Sequence, residues 1–211
     1  MVTKVRPGHV RRNYKCICVF LVLEGLFIDV RTSESKNVIK ELLIESKIIP
    51  DVLDVAPKHE LLIIYADQSI KFGTHVLPSL VHGVPTDVDW PYDAMAYYTL
   101  IMTDPDSPST SNPHNREWQH WVVGNIPEFR VKLGEVLTPH IGAIHPKGNG
   151  LHRYVFTVFK QPEKVNFTDL ILDERPSDAY RANFSTRNFA RRYKFGDPHA
   201  VNYFVVNWDT P

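Results

Sequence analysis

Tyr97-Tyr98-Thr99-Leu100-Ile101-Met102-Thr103 runs without a break into Asp104-Pro105-Asp106-Ser107-Pro108. The first part is nearly continuous in apolar, aromatic and β-branched side chains, the composition of a strand covered on both faces. The second part stops that strand. Its prolines fix the backbone at the point where two carboxylates leave the sheet. Arg153 to Lys160 repeats the fully apolar pattern, so both segments are expected at the centre of a sheet. Shorter β-like segments, Leu61 to Tyr65, Ser69 to Phe72, Trp118 to Asn125 and Val201 to Trp208, are separated by proline, glycine or aspartate. The expected class is therefore mainly β.

Helical signals are few. Val38, Ile39, Leu42 and Leu43 recur at helical spacing from Ser35 onward and predict one amphipathic helix ending at Ile49-Pro50. Near the end of the chain Ser185 can cap a short helix carrying Phe189, Ala190 and Tyr193, with Gly196 just beyond it. The proline-rich segment from Asp104 to Pro113 joins two expected strands, so it reads as an ordered loop of the kind that carries function.

The chain has 211 residues, 43% of them hydrophobic and 11% aromatic, enough to bury a core in a single folded domain. Its 24 lysines and arginines balance 24 aspartates and glutamates. No whole-molecule field would draw it to nucleic acid or to an anionic membrane, and any anion binding must be local. Its two cysteines, Cys16 and Cys18, cannot supply a disulfide framework or a four-cysteine zinc site. Lys4, Arg6, Arg11, Arg12 and Lys15 precede an apolar run from Cys16 to Leu23, in the order of a secretory signal. Glu24 and Asp29 interrupt that run, which falls short of the roughly 18 to 20 residues of a spanning helix. Residues 1–34 are thus expected to be a leader for secretion and residues 35–211 the folded domain, the alternative being a basic leader on a cytoplasmic protein. Asn166-Phe167-Thr168 and Asn183-Phe184-Ser185 are glycosylation sequons.

Three clusters could carry chemistry. Asp104-Pro105-Asp106-Ser107-Pro108, taken alone, is made of ordinary turn residues. In Arg116-Glu117-Trp118-Gln119-His120-Trp121, strand alternation places Trp118 and His120 on one face and Gln119 and Trp121 on the other. In His145-Pro146-Lys147-Gly148-Asn149-Gly150-Leu151-His152-Arg153-Tyr154, the glycines around Asn149 let backbone N–H groups converge on an anion, while His152 and Tyr154 share a strand face. The spacing of a nucleotide P-loop is absent. If the three strands are neighbours, Asp104, His120, His152 and Tyr154 meet at one sheet edge. Imidazole and phenol groups there could face phosphate oxygens, with Asp104 orienting a histidine or meeting a ligand ammonium.

D-P-D-S-P, R-E-W-Q-H-W and P-K-G-N-G-L-H-R-Y, in this order, resemble the phosphatidylethanolamine-binding protein family and its Raf kinase inhibitor-like members in animals. The resemblance runs from about Ile49 to Trp208. It implies two antiparallel sheets with a few peripheral helices and a pocket for phosphate or phospholipid head groups. The family's pocket residues correspond to Asp104, Asp106, Trp118, His120, Pro146, His152 and Tyr154, with His145 at the rim. Arg116-Glu117 corresponds to a non-proline cis peptide. The chain departs from the family pattern at Ile144 and His145, where a glycine and a proline are usual, at Gln119, and at Pro198-His199-Ala200-Val201. Family members also continue past the final tryptophan into a helix beside the pocket, whereas this sequence ends at Pro211, from which a more open pocket is expected.

The resemblance implies a non-catalytic protein that binds a phosphate-bearing small molecule, uses no cofactor, and regulates a kinase or a serine protease. Two alternatives carry different chemistry. A secreted carrier of an odorant or other small apolar ligand would use Ile144 and the tryptophans as an apolar cleft. A metal-dependent hydrolase would use Asp104, His120 and His152 as ligands, but there is no H-E-x-x-H, no G-x-S-x-G and no cysteine nucleophile near a histidine.

Overall fold

The computed structural model describes residues 30–143, 150–168 and 178–209. The described residues begin with helix α1 (Val30–Glu45) and a short helical turn α2 (Ile48–Asp51), followed by the strands β1 (His59–Glu60), β2 (Leu62–Tyr65), β3 (Gln68–Ile70), β4 (Thr74–His75) and β5 (Asp87–Asp89). The long strands follow: β6 (Tyr97–Asp104), β7 (Trp118–Pro127), β8 (Glu135–Thr138) and β9 (Leu151–Lys160). Helices α3 (Asp178–Arg181) and α4 (Thr186–Arg192) precede the last strand, β10 (Ala200–Asn207).

Seven strands form one sheet in the order β1-β10-β9-β6-β7-β8, with β4 also on β10, and three form a second in the order β3-β2-β5. The mainly β reading holds. The sheets are antiparallel except where the two-residue strands β1 and β4 add to β10 in parallel. As expected from their apolar runs, β6 and β9 are adjacent and central. Their alternate residues feed two cores on opposite faces. Leu100, Met102, Tyr154 and Phe156 pack with Ile63, Val88 and Trp90 of the smaller sheet. Ile101, Val155 and Phe159 pack with Leu43 and Ile48 at the N-terminal helices and Phe189 of α4. The order of layers is helices, large sheet, small sheet, which covers both faces of the central strands.

The N-terminal helix departs from the expectation. The α1 helix ends at Glu45, and Pro50 sits within α2, after a non-helical Ile49 and a cis Ile49–Pro50 bond, rather than terminating one continuous helix. Lys47 in the left-handed conformation makes the break between the two. The late helix is as read: the Ser185 side chain accepts from the Asn188 N–H, and Gly196 follows with a positive φ.

Candidate functional site

The ends of β6, β7 and β9 meet at one edge of the large sheet. The β6–β9 ladder pairs Thr103 with Val155, so Asp104 and Tyr154 are next in line and on one face. The β6–β7 ladder pairs Asp104 with Trp118. Between these positions the register slips: Met102 pairs with Trp121 but Thr103 with Gln119, a β-bulge that fits His120 and Trp121 against one step of β6. Strict alternation across Trp118 to Trp121 is therefore corrected. His120 and Trp121 both turn toward the face shared with Tyr154, while Gln119 turns to the other and accepts from Thr138 Oγ1. The bulge is what brings His120 beside Tyr154, with ring centroids 5.1 Å apart and an edge-to-face tilt of 68°.

Asp104 is the hub. Its Oδ2 lies 2.7 Å from Nδ1 of His152, and its Oδ1 accepts from the Asp106 N–H at 2.7 Å. Both side chains of the Asp104–His152 pair are wholly buried. A carboxylate so placed accepts from Nδ1–H and leaves Nε2 as the ring's remaining hydrogen-bonding atom. His120 is fixed in a parallel way, its Nδ1 standing 2.9 Å from the carbonyl oxygen of Ile141. Because a carbonyl only accepts, Nδ1 carries the proton, and neutral His120 presents a lone pair at Nε2. It can donate to an anionic oxygen only as imidazolium, or else accept from a protonated phosphate.

His152 stacks on Tyr154 at 6.5 Å, and Tyr154 stacks on Phe204 at 5.1 Å. Burial, reinforced by the negative charge of Asp104, pushes the Tyr154 phenol well above its ordinary pKa. Tyr154 is accordingly a neutral phenol at the floor of the cluster.

Other expected residues fall differently. Trp118 is only partly buried, at the mouth of the cluster. The Asp106 carboxylate does not turn to the rings; it receives the Nε–H and backbone N–H of Arg153 at 2.8 and 2.9 Å on one oxygen, and Arg153 Nη2 at 2.6 Å on the other. His145, Pro146 and the Lys147-Gly148-Asn149 segment lie outside the described residues. Gly150 is described: its φ of +81° is the left-handed backbone expected there, but its N–H donates to the Asp209 carboxylate. The Arg116–Glu117 peptide is cis.

Three contributors were not identified from the sequence. Ile141 acts through its backbone oxygen, which no side-chain pattern reveals. The segment carrying it is pinned at Gly142, where a Cβ would fall 1.9 Å from the carbonyl oxygen of His82, so only glycine lets the chains approach. His140 packs edge-on against Trp121 at 5.5 Å, and burial, with the nearby positive charge of Arg181 among the lesser causes, pulls its pKa down to about 4. Arg181 is fully buried against the backbone behind His120. On the opposite face of the sheet a separate groove of about 280 Å³, lined by Leu53, Phe159, Arg187, Ala190 and Lys194 among others, involves none of the predicted site residues.

Residues 78–203 match the phosphatidylethanolamine-binding protein family model. A Drosophila melanogaster protein provisionally named odorant-binding protein A5 is 30% identical over 197 residues, covering 92% of each chain. Among solved structures, a phosphatidylethanolamine-binding protein from Plasmodium vivax is similar at 25% identity and a TM-score of 0.67, covering 79% of this chain and 95% of its own. A carboxypeptidase Y inhibitor, solved in complex with its cognate proteinase, shares the fold at 23% identity and a TM-score of 0.69, covering 81% of this chain and 95% of the other. The match of the family model across the long strands, together with the relative that spans nearly the whole sequence, shows that the chain belongs to the phosphatidylethanolamine-binding protein family.

Proposed function

We propose that this protein is a non-catalytic binding protein that holds a phosphate-bearing small molecule, such as a phospholipid head group, at the edge where β6, β7 and β9 end. The observation that carries the reading is the pairing of two histidines whose Nδ1 atoms are both spoken for, His152 by Asp104 and His120 by Ile141. Each ring is thereby oriented from its Nδ1 side, an arrangement in which a phosphoryl group can be met at Nε2. Asp104, His120, His152 and Tyr154 form the inner set and Trp118 the mouth, and the family resemblance adds His145 and Pro146 to the ligand-binding residues. Asp106 supports the site through Arg153.

The hydrolase alternative needs Asp104, His120 and His152 around one ion. Among the described residues no group of three or more His, Cys, Asp or Glu could hold a metal, and Asp104 is joined to His152 directly. The carrier alternative draws on the name of the Drosophila relative and on the aromatic lining of the cluster. A partner protein, a kinase or a serine protease, fits a fold of which one member is seen bound to its proteinase.

Secretion follows from the basic-then-apolar order of residues 1–34. Asn166 and Asn183 of the sequons are both exposed, as an acceptor must be, and no helix among the described residues is long and apolar enough to cross a membrane. Native mass spectrometry of protein secreted from cultured animal cells tests these readings together. The account expects a processed, glycosylated chain carrying phosphate or phospholipid. A tightly held small organic molecule would favour the carrier, stoichiometric metal the hydrolase, and an unprocessed cytosolic product would remove secretion.

A further inference from the structure

The bulge that presents His120 also leaves backbone carbonyls without the regular ladder. The β7–β8 pairing ends at Val122 and Thr138, and beyond it the only strand-like link among the described residues is the Ile141 N–H donating to the His120 oxygen at 2.9 Å. Arg181, wholly buried at the end of α3, fills this gap. Its Nη1 donates to the Gln119 oxygen at 3.1 Å and, more weakly, to the His120 oxygen at 3.4 Å, while Nη2 donates to the Pro139 oxygen at 3.0 Å. The side chain thus ties the bulged segment of β7 to residues 139–141. Those are the two stretches whose separation sets the bond between His120 Nδ1 and the Ile141 oxygen.

We infer that Arg181 is a positioning residue for the phosphate site: its guanidinium stands in for the missing ladder and so fixes the orientation and tautomer of His120. A planar fork with five donors can span three carbonyls on two separate segments, which an ammonium on a single atom cannot. The inference rests on the phosphate-binding reading for its importance to affinity, but the tautomer of His120 can be measured without any ligand.

The test combines both measurements on the full chain. Two-bond proton–nitrogen spectra of the imidazole rings in ¹⁵N-labelled protein report each tautomer at neutral pH. Wild type is expected to hold His120 as Nδ1–H. In Arg181→Lys and Arg181→Met, His120 is expected to become a mixture of tautomers while His152, held by Asp104, stays as it is. Inorganic phosphate is then titrated into Arg181→Lys, His120→Ala and the double variant. The single Arg181 change should weaken binding about tenfold, as expected for one charge-assisted contact, and should add less than about twofold in the His120→Ala background, because it acts through that ring. A His120 that keeps its tautomer in folded Arg181→Lys, or an equal loss of affinity in both backgrounds, overturns the inference. If the variants do not fold, wild type still decides: a His120 found as Nε2–H means the clamp does not do what is claimed. Should wild type bind no phosphate, the tautomer comparison stands and only the functional reading fails.

Discussion

The Asp104 carboxylate meets Nδ1 of His152 at 2.7 Å with both side chains wholly buried, and its other oxygen caps the Asp106 N–H. Both oxygens are thus engaged inside the protein, and on the proposed reading Asp104 serves as an orienting group for His152. Asp104→Ala is expected to weaken sulfate and phosphoethanolamine by the same factor. It should also destabilise the fold by roughly 2 to 4 kcal/mol, since it strands a buried donor on His152. Calorimetric titration and urea denaturation check the two effects; a loss confined to phosphoethanolamine would show that the carboxylate reaches the ammonium.

Glu117 joins β7 to α4. Its carboxyl takes the Thr186 N–H at 2.9 Å and the Thr103 hydroxyl at 3.0 Å, and burial pushes its pKa up to about 7. A carboxyl whose pKa rises on folding stabilises the protein while protonated. That contribution is complete below about 4.5 and is lost as pH rises toward 7, a change of roughly 3 kcal/mol at most. His140 works the opposite way, since its lowered pKa costs stability as pH falls from about 6.5 toward 4. Comparison with Glu117→Gln isolates the first effect: wild type should lose stability relative to the variant between pH 4.5 and 7. Parallel denaturation curves across that range would contradict it.

Arg153 ties the site strand to the N-terminal helices. Besides Asp106, it reaches Asp51 at 2.9 Å and the Ser46 oxygen at 2.7 Å. Arg153→Met leaves the Asp106 carboxylate buried with its main cation gone, and is expected to cost about 3 to 5 kcal/mol. Adding Asp106→Asn should recover part of this, because the stranded charge is removed. Additive losses in thermal or chemical unfolding would show that the two do not act as a pair.

Much of this was legible in the sequence. The central position of β6 and β9 followed from their unbroken apolar runs, and the cap of α4 from Ser185. The strands missed, β1, β4, β5 and β8, are two to four residues long and owe their pairing to β10, β2 and β7, so local pattern carries little of their signal. The meeting of Asp104, His120, His152 and Tyr154 was readable from strand ends. The bulge at His120 was not, because an inserted residue is invisible to a period of two. Nor could residue type show that Asp106 would be committed to Arg153, or that Arg181 and the Ile141 oxygen would hold His120 from behind.

The most direct test of the central claim is calorimetric titration of sulfate and phosphate into wild type and His152→Ala, repeated from pH 5.5 to 8 in buffers of different ionisation enthalpy. Sulfate keeps its charge over this range, so its pH dependence reports the protein alone. Because His120 and His152 must be protonated at Nε2 to donate to such an anion, sulfate affinity should rise as pH falls, with measurable proton uptake. His152→Ala should weaken binding about tenfold or more, the value of one charge-assisted hydrogen bond. Equal binding by wild type and His152→Ala, or no binding of either anion to wild type, would contradict the assignment of this edge as a phosphate site.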